Sequence, residues 1–217
     1  MKKQFLKMAV MFLCFSLILS PLKSYAETDS RVQSKYMSKS AVQLKENMRK
    51  LWADHVIWTS KYITSAVAGS PDQEKVLARL LQNQKDIGNA IKPYYGVAAG
   101  DQLAKLLTDH ILIAGKIVEA GKKNDMNTLN SLNAEWFKNA DDIANFLSKA
   151  NPNWNNKVLK DLLYTHLKMV TEELITRLKM DWEANVRAFD HGINHIYKLS
   201  DALSEGIIKQ FPNKFKN

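Results

Sequence analysis

The apolar residues of this chain recur every three to four positions, which is the period of an α-helix that buries one face. Three such stripes are long and regular, and each carries a histidine at its centre. No long segment alternates apolar and polar residues with the period of two that marks a half-buried strand. The pattern therefore predicts an all-α protein.

Turn-forming segments interrupt the helical pattern five times. Four of them contain glycine, proline or asparagine, whereas the fifth, KMDWE at 179–183, has no glycine or proline. Because short connections favour antiparallel neighbours, the sequence predicts a single up-down bundle over residues 38–212. The six predicted helices lie near 38–68, 72–93, 99–122, 127–149, 155–179 and 182–210.

An internal repeat underlies these helices. The first, third and fifth helices contain KLWADHVIW, KLLTDHILI and DLLYTHLKM, in which His55, His110 and His166 occupy the same place at a nearly constant interval. NQKDIGN at 83–89 and NADDIAN at 139–145 repeat in the second and fourth helices, and INHIYKL places His195-Ile196 where they have Asp-Ile. We interpret the repeat as a helical hairpin of about 55 residues that occurs three times.

The spacing of the turns predicts that the repeated polar residues share one height in the bundle. Two residues of a helical hairpin lie level when the turn falls midway between them, and the predicted turns fall near these midpoints. The expected layer crosses the middle of the bundle and consists of His55, Asp86, His110, Asp142, His166 and His195.

Such a layer predicts a metal site. Burying imidazole or carboxylate without a partner is costly, and ligation of zinc, iron, manganese or copper would compensate that cost. Asp54 and Asp109 are expected to point about 100° away and to act in capping or in contacts with the ligands. His191, one turn before His195, is either a further ligand or an exposed neighbour.

Two other interpretations of the layer stay open. Histidine–aspartate pairs could satisfy each other as structural hydrogen bonds, or the layer could line a cavity for an organic ligand or haem. The sequence contains no His-Glu-x-x-His motif, no Glu-x-x-His spacing of di-iron bundles, no nucleophile elbow and no phosphate-binding glycine loop.

The segment at positions 1–26 has the layout of a secretory signal peptide. A basic start and a short apolar run precede the small residues Ser24 and Ala26, which predicts cleavage after Ala26 and export; an uncleaved anchor is the alternative. Cleavage removes Cys14, the only cysteine, and lowers the net charge from +9 to +5, because four lysines and no acids leave. Residues 27–37 form a polar lead, expected to be disordered.

The mature chain shows no basic stripe with interleaved aromatic residues, so no nucleic-acid partner is expected. Only the tail KQFPNKFKN is locally basic, which allows a weak association with an anionic cell surface.

At DHVIWT, DIGNAIKPYYG, DHILIAG and ANPNW the chain resembles an uncharacterised family of secreted, all-helical bacterial proteins. The resemblance covers most of residues 45–212 and implies an exported helical protein. It supplies no catalytic residues.

The sequence as a whole predicts an extracytoplasmic protein that holds one transition-metal ion for sequestration, buffering or redox use. The alternative is a non-enzymatic extracellular or envelope interaction module in which the layer is purely structural. A metal-dependent enzyme would further require an open coordination position and a route for substrate.

Overall fold

The computed structural model describes residues 37–216, of which residues 38–216 belong to one compact unit. The predicted signal peptide at 1–26 and all of the 27–37 lead except Met37 lie outside the described residues. The described part contains helices and no strand, which confirms the all-α prediction. The helices are α1 (Lys39–Ala68), α2 (Gln73–Tyr95), α3 (Val97–Lys122), α4 (Met126–Ala150), α5 (Asn156–Leu178) and α6 (Trp182–Gln210), followed by a 3-10 helix at Pro212–Phe215.

The helices form a closed up-down ring. Each helix packs against its neighbours in sequence, and α6 completes the ring by packing on α1. The three odd-numbered helices α1, α3 and α5 also contact one another. They therefore surround the central axis, and α2, α4 and α6 lie between them towards the outside.

The turns at one end of the ring repeat the same backbone geometry three times. Gly69, Asn124 and Met180 each adopt a left-handed conformation, with φ of 63°, 53° and 57°. The N–H of the following residue returns to a carbonyl five positions back in each turn, over 2.9–3.0 Å. The turn that lacks glycine and proline in the sequence thus has the same form as the others, with Met180 in the position that favours glycine.

Side-chain caps explain where four of the helices begin. Ser38, Asp125, Asn155 and Asp181 each accept a hydrogen bond from a backbone N–H in the first turn of α1, α4, α5 and α6. These residues satisfy donors that have no partner within the helix, so each fixes a helix start.

The α2–α3 connection is much shorter than the turn expected over 92–101. Helix α2 continues through Pro93 to Tyr95, and Gly96, with φ of 83°, is the only residue before α3. Gly88 and Gly100 face each other across the two helices, and a Cβ on Gly88 would overlap the carbonyl oxygen of Gly100. The missing side chains let α2 and α3 approach closely behind this tight corner.

Aromatic side chains close the end of the bundle that contains this corner. Their rings pack in pairs with centroids 5.4–5.8 Å apart, in tilted, stacked and edge-to-face arrangements. The residues are Tyr94, Tyr95, Trp154, Phe211 and Phe215. The basic tail takes part, because Phe215 is buried and Lys214 donates to the carbonyl of Pro93 over 3.0 Å. Within residues 37–216, none of the helices has the length and apolar character that crossing a bilayer requires.

Candidate functional site

Three histidines meet at the centre of the bundle. His55 on α1, His110 on α3 and His166 on α5 are only 1%, 3% and 3% exposed. The Nε2 atoms of His55 and His166 are 3.4 Å apart, and the His110 ring stacks on the His166 ring with centroids 6.2 Å apart. They converge because α1, α3 and α5 surround the axis and the repeat places each histidine at the same height.

Amide side chains from the neighbouring helices hold two of these histidines. Nδ1 of His55 lies 3.2 Å from Oε1 of Gln84, and Nδ1 of His110 lies 2.8 Å from Oδ1 of Asn139. The amide nitrogens donate to the backbone carbonyls of Leu80 and Leu106, which fixes the orientation of both amides. Because an amide oxygen only accepts, both histidines carry a proton on Nδ1 and present an unprotonated Nε2.

A second contact repeats in all three hairpins. The carbonyl one turn before each central histidine accepts a hydrogen bond from the adjacent even-numbered helix: Asn83 donates to Leu51, Asn139 to Leu106 and His195 to Leu162, over 3.0, 3.1 and 2.8 Å. The three donors follow one another at equal intervals along the chain, so His195 corresponds to Asn83 and Asn139. The sequence alignment of His195 with the Asp-Ile positions was therefore three residues out of register.

The expected aspartates do not belong to the layer. Asp86 lies near Arg79, 3.8 Å away, and Asp142 pairs with Lys138 at 2.7 Å, both at the partly exposed surface of their helices. Each directly precedes the buried Ile87 or Ile143, and one residue along a helix turns the side chain by about 100°. The prediction that these carboxylates face the histidines was wrong.

Asp54 and Asp109 also form surface ion pairs. Asp54 pairs with Lys50 at 2.7 Å, and Asp109 pairs with Lys105 at 2.6 Å. Neither carboxylate touches a central histidine, so the expected capping or ligand-orienting role is not seen.

The third hairpin lacks the amide found in the other two. At the position that corresponds to Asn139 it has His195, whose Nε2 is engaged by the Leu162 carbonyl. Nδ1 of His166 is buried and has no hydrogen-bond partner among residues 37–216. His191, one turn before His195, is exposed and does not enter the cluster.

Burial keeps all three central histidines neutral. It lowers the pKa of His55 to about 3, with a smaller contribution from the repulsion that a protonated His110 would exert, and it lowers the pKa of His110 to about 4. The pKa of His166 falls well below its usual range for the same reason, and repulsion by protonated forms of the neighbouring imidazoles lowers it further. The cluster thus offers unprotonated imidazole nitrogens at neutral pH.

Two distinct arrangements satisfy the 3.4 Å contact between His55 and His166. With neutral rings alone, His166 donates from Nε2 to Nε2 of His55, which is long for a hydrogen bond. With both nitrogens unprotonated, a metal ion could lie between them. Metal–nitrogen bonds of about 2.0 Å put neighbouring ligand nitrogens about 3.3 Å apart at tetrahedral angles and about 3.5 Å apart at trigonal ones.

A complete set of ligands is not preassembled. Within residues 37–216, no group of three or more histidine, cysteine, aspartate or glutamate side chains is arranged to hold a metal ion. The pair formed by His55 and His166 has ligand spacing, and His110 is the neighbouring imidazole.

Comparisons of the chain with protein families, with curated proteins and with solved structures give no match. Its function is therefore argued from the histidine cluster alone.

Proposed function

We propose that the protein binds one transition-metal ion between His55 and His166, with His110 beside them, and that it does so outside the cytoplasm to sequester, buffer or use the ion. The extracytoplasmic setting rests on the predicted signal peptide, and the metal site rests on the histidine cluster.

The observation that carries the proposal is the facing pair of Nε2 atoms, 3.4 Å apart. The Nδ1–H of His55 is held by Gln84, so its Nε2 lone pair is directed at His166. Metal-binding histidines characteristically donate their other ring N–H to an oxygen in this way, which orients the ring and makes the free nitrogen a better ligand. His110 and Asn139 provide the same arrangement beside the pair.

The donor atoms narrow the choice of metal. With Asp86 and Asp142 paired at the surface, the proposed ligands are imidazole nitrogens alone. Imidazole suits zinc, copper and iron, whereas manganese prefers carboxylate and water oxygens. Zinc, copper and iron are therefore the candidate metals. Manganese is the least favoured of the four metals that the sequence suggests.

The test uses the mature protein purified without a histidine tag and treated with a chelator. Zinc, ferrous iron or anaerobic cuprous copper is added, and bound metal and melting temperature are measured. We expect one ion per chain and, at about 100 times the dissociation constant, a stabilisation of about 2.7 kcal/mol, which corresponds to a rise of about 5–10 °C. Absence of stoichiometric metal together with an unchanged melting temperature for all three ions would refute the proposal.

Two variants separate the cluster from adventitious binding. His166→Leu removes a proposed ligand. It eliminates the unpaired Nδ1 of His166 and leaves Nε2 of His55 unpaired instead, so the number of unpaired buried nitrogens stays the same and we expect the variant to fold. It should lose about 100-fold or more in metal affinity. His191→Ala, at an exposed position, should bind as the wild type does.

A specific observation favours the alternative, an extracellular or envelope interaction module with a structural cluster. Gln84, Asn139 and the His166–His55 contact can satisfy the cluster with neutral rings. Among the nitrogens of the three central rings, Nδ1 of His166 is then the one that is buried without a partner within residues 37–216. If the protein is stably folded without metal and binds none of the metals tested, the role as an interaction module is the function that remains.

A further inference from the structure

We infer that the ion preferred at this site is monovalent copper, an inference that rests on the proposed metal-binding function. The observations behind it are the charge of the donors, the number of ligands at bonding distance and the neutrality of the groups that surround them.

The donors supply no negative charge. His55, His110 and His166 are neutral ligands, and the carboxylates of Asp86 and Asp142 are engaged with Arg79 and Lys138 at the surface. The cost of moving an ion from water into a buried site grows with the square of its charge. The cost of moving a dication from water to the axis is therefore about four times that of moving a monocation.

The number of preassembled ligands points the same way. Only His55 and His166 have Nε2 atoms at ligand spacing, and within residues 37–216 no set of three side chains is ready to bind. Zinc in proteins is almost always bound by four ligands, of which at least three come from the protein. Cuprous copper has a filled d shell and is stable with three nitrogen ligands at trigonal angles. The 3.4 Å separation of the His55 and His166 nitrogens fits two of these ligands, and His110 would supply the third.

The groups around the cluster are neutral as well. Gln84 and Asn139 are amides, Trp136 packs on His110 with ring centroids 5.1 Å apart, and Trp52 packs on His55 at 5.6 Å. The buried carboxyl group of Glu173 lies two turns after His166, about 10 Å along α5. Burial raises its pKa, and the polar side chain that acts most strongly on it is Ser60 of α1, not a central histidine.

The test is a pair of competition titrations on the tag-free mature protein. Cuprous copper is titrated anaerobically against bathocuproine disulfonate, and zinc is titrated against a zinc-chelating dye. We expect the dissociation constant for cuprous copper to be at least 100-fold lower than that for zinc. Copper bound in this way should remain silent in electron paramagnetic resonance after brief exposure to air.

A charge variant tests the physical reason. Gln84→Glu places a carboxylate of matching size beside His55, and it should narrow the preference for cuprous copper over zinc by about 10-fold or more. Circular dichroism checks that this variant folds; if it does not, Asn139→Asp makes the same change beside His110. The ratio of the wild-type dissociation constants for zinc and cuprous copper tests the preference for copper without either variant.

The outcomes separate the two claims. Zinc binding as tight as or tighter than cuprous copper would overturn this inference and leave the proposed metal-binding function intact. Binding of neither ion would overturn both. A wild-type preference for copper that the carboxylate variant leaves unchanged would contradict the charge argument.

Discussion

The first two hairpins and the third are built on one plan but differ at two places. In hairpins one and two an amide holds Nδ1 of the central histidine, and the left-handed turn residue is Gly69 or Asn124. In hairpin three His195 occupies the position of Asn139 and Ile196 occupies that of Gln84, so neither amide is present. Nδ1 of His166 has no partner within residues 37–216, and the turn residue is Met180.

This difference indicates which parts of the repeat serve stability. The hydrogen bond to the carbonyl one turn before the histidine is kept in all three copies, by Asn83, Asn139 and His195, so it belongs to the packing of each hairpin. An amide that fixes the ring is present in only two hairpins, and it comes from different repeat positions, Gln84 and Asn139. His166 is thus the least constrained imidazole, and it is the one that faces His55 directly.

The largest expected effect is the response of the whole cluster to acid. The unfolded chain protonates histidine near its ordinary pKa of 6.5, whereas burial lowers the folded pKa of His110 to about 4 and that of His55 to about 3. Below about pH 6.5 the unfolded state therefore binds more protons, and stability falls as the pH falls.

Each central histidine should lower the free energy of unfolding by about 2 kcal/mol at about pH 5 compared with about pH 7, and the three together by up to about 6 kcal/mol. Urea unfolding of chelator-treated protein at about pH 7 and pH 5 measures this loss. His191→Ala should show the same dependence as the wild type, since that ring is exposed. Equal stability at the two pH values would mean that the central rings are solvated or already charged.

The next largest effect compares equivalent positions in the second and third hairpins. Asn139→Leu leaves Nδ1–H of His110 without an acceptor and removes a second donor from the Leu106 carbonyl, whereas His195→Leu only removes a second donor from the Leu162 carbonyl. Both carbonyls keep their hydrogen bonds within the helix. At about 1–3 kcal/mol for the buried donor left unpaired and about 0.5–1.5 kcal/mol for a hydrogen bond lost, we expect losses of about 2–4 kcal/mol for Asn139→Leu and about 1 kcal/mol for His195→Leu. Urea midpoints measure the ratio, and equal losses would show that the amide does not hold His110.

The smallest effect concerns the turns. Met180 is 70% exposed and adopts φ of 57°, so Met180→Gly removes backbone strain with little loss of packing. The greater freedom of glycine in the unfolded chain offsets part of this gain. A net stabilisation of about 0.5–1 kcal/mol is expected, or about 1–4 °C in melting temperature.

The reverse change, Gly69→Ala, introduces strain at the equivalent position of the first hairpin and should destabilise by about 1 kcal/mol. If both substitutions shift the melting temperature in the same direction, the left-handed geometry does not explain the difference between the turns.

The fold and the three central histidines were predictable from the sequence because they depend on local signals. The helical period, the turn residues and the nearly constant repeat interval place His55, His110 and His166 at one height on the inner helices. The structure confirms the helices and adds the reason for convergence, namely that only the odd-numbered helices meet at the axis.

The partners of the histidines were not predicted, for two physical reasons. The choice of Asp86 and Asp142 followed the chemistry of metal ligands, although each lies one residue, or about 100°, from the buried stripe, a position that also allows it only to flank the core. Asn83 lies one turn before Ile87 on that stripe, so the period could have identified it.

Gln84 and the role of His195 carried a weaker signal. Gln84 has no polar counterpart in the other hairpins, where Ala140 and Ile196 occupy its position. His195 donates to a backbone carbonyl, which leaves no trace in the sequence.

The most direct test of the proposed metal site is a long-range proton–nitrogen NMR spectrum of the imidazole rings, recorded before and after addition of cuprous copper or zinc. Without metal, His55 and His110 should be protonated on Nδ1 and His166 on Nε2. With metal, the Nε2 resonances of His55 and His166 should shift and His166 should change to the tautomer protonated on Nδ1, while His191 is unchanged. Unshifted Nε2 resonances for both rings at saturating metal would contradict the account.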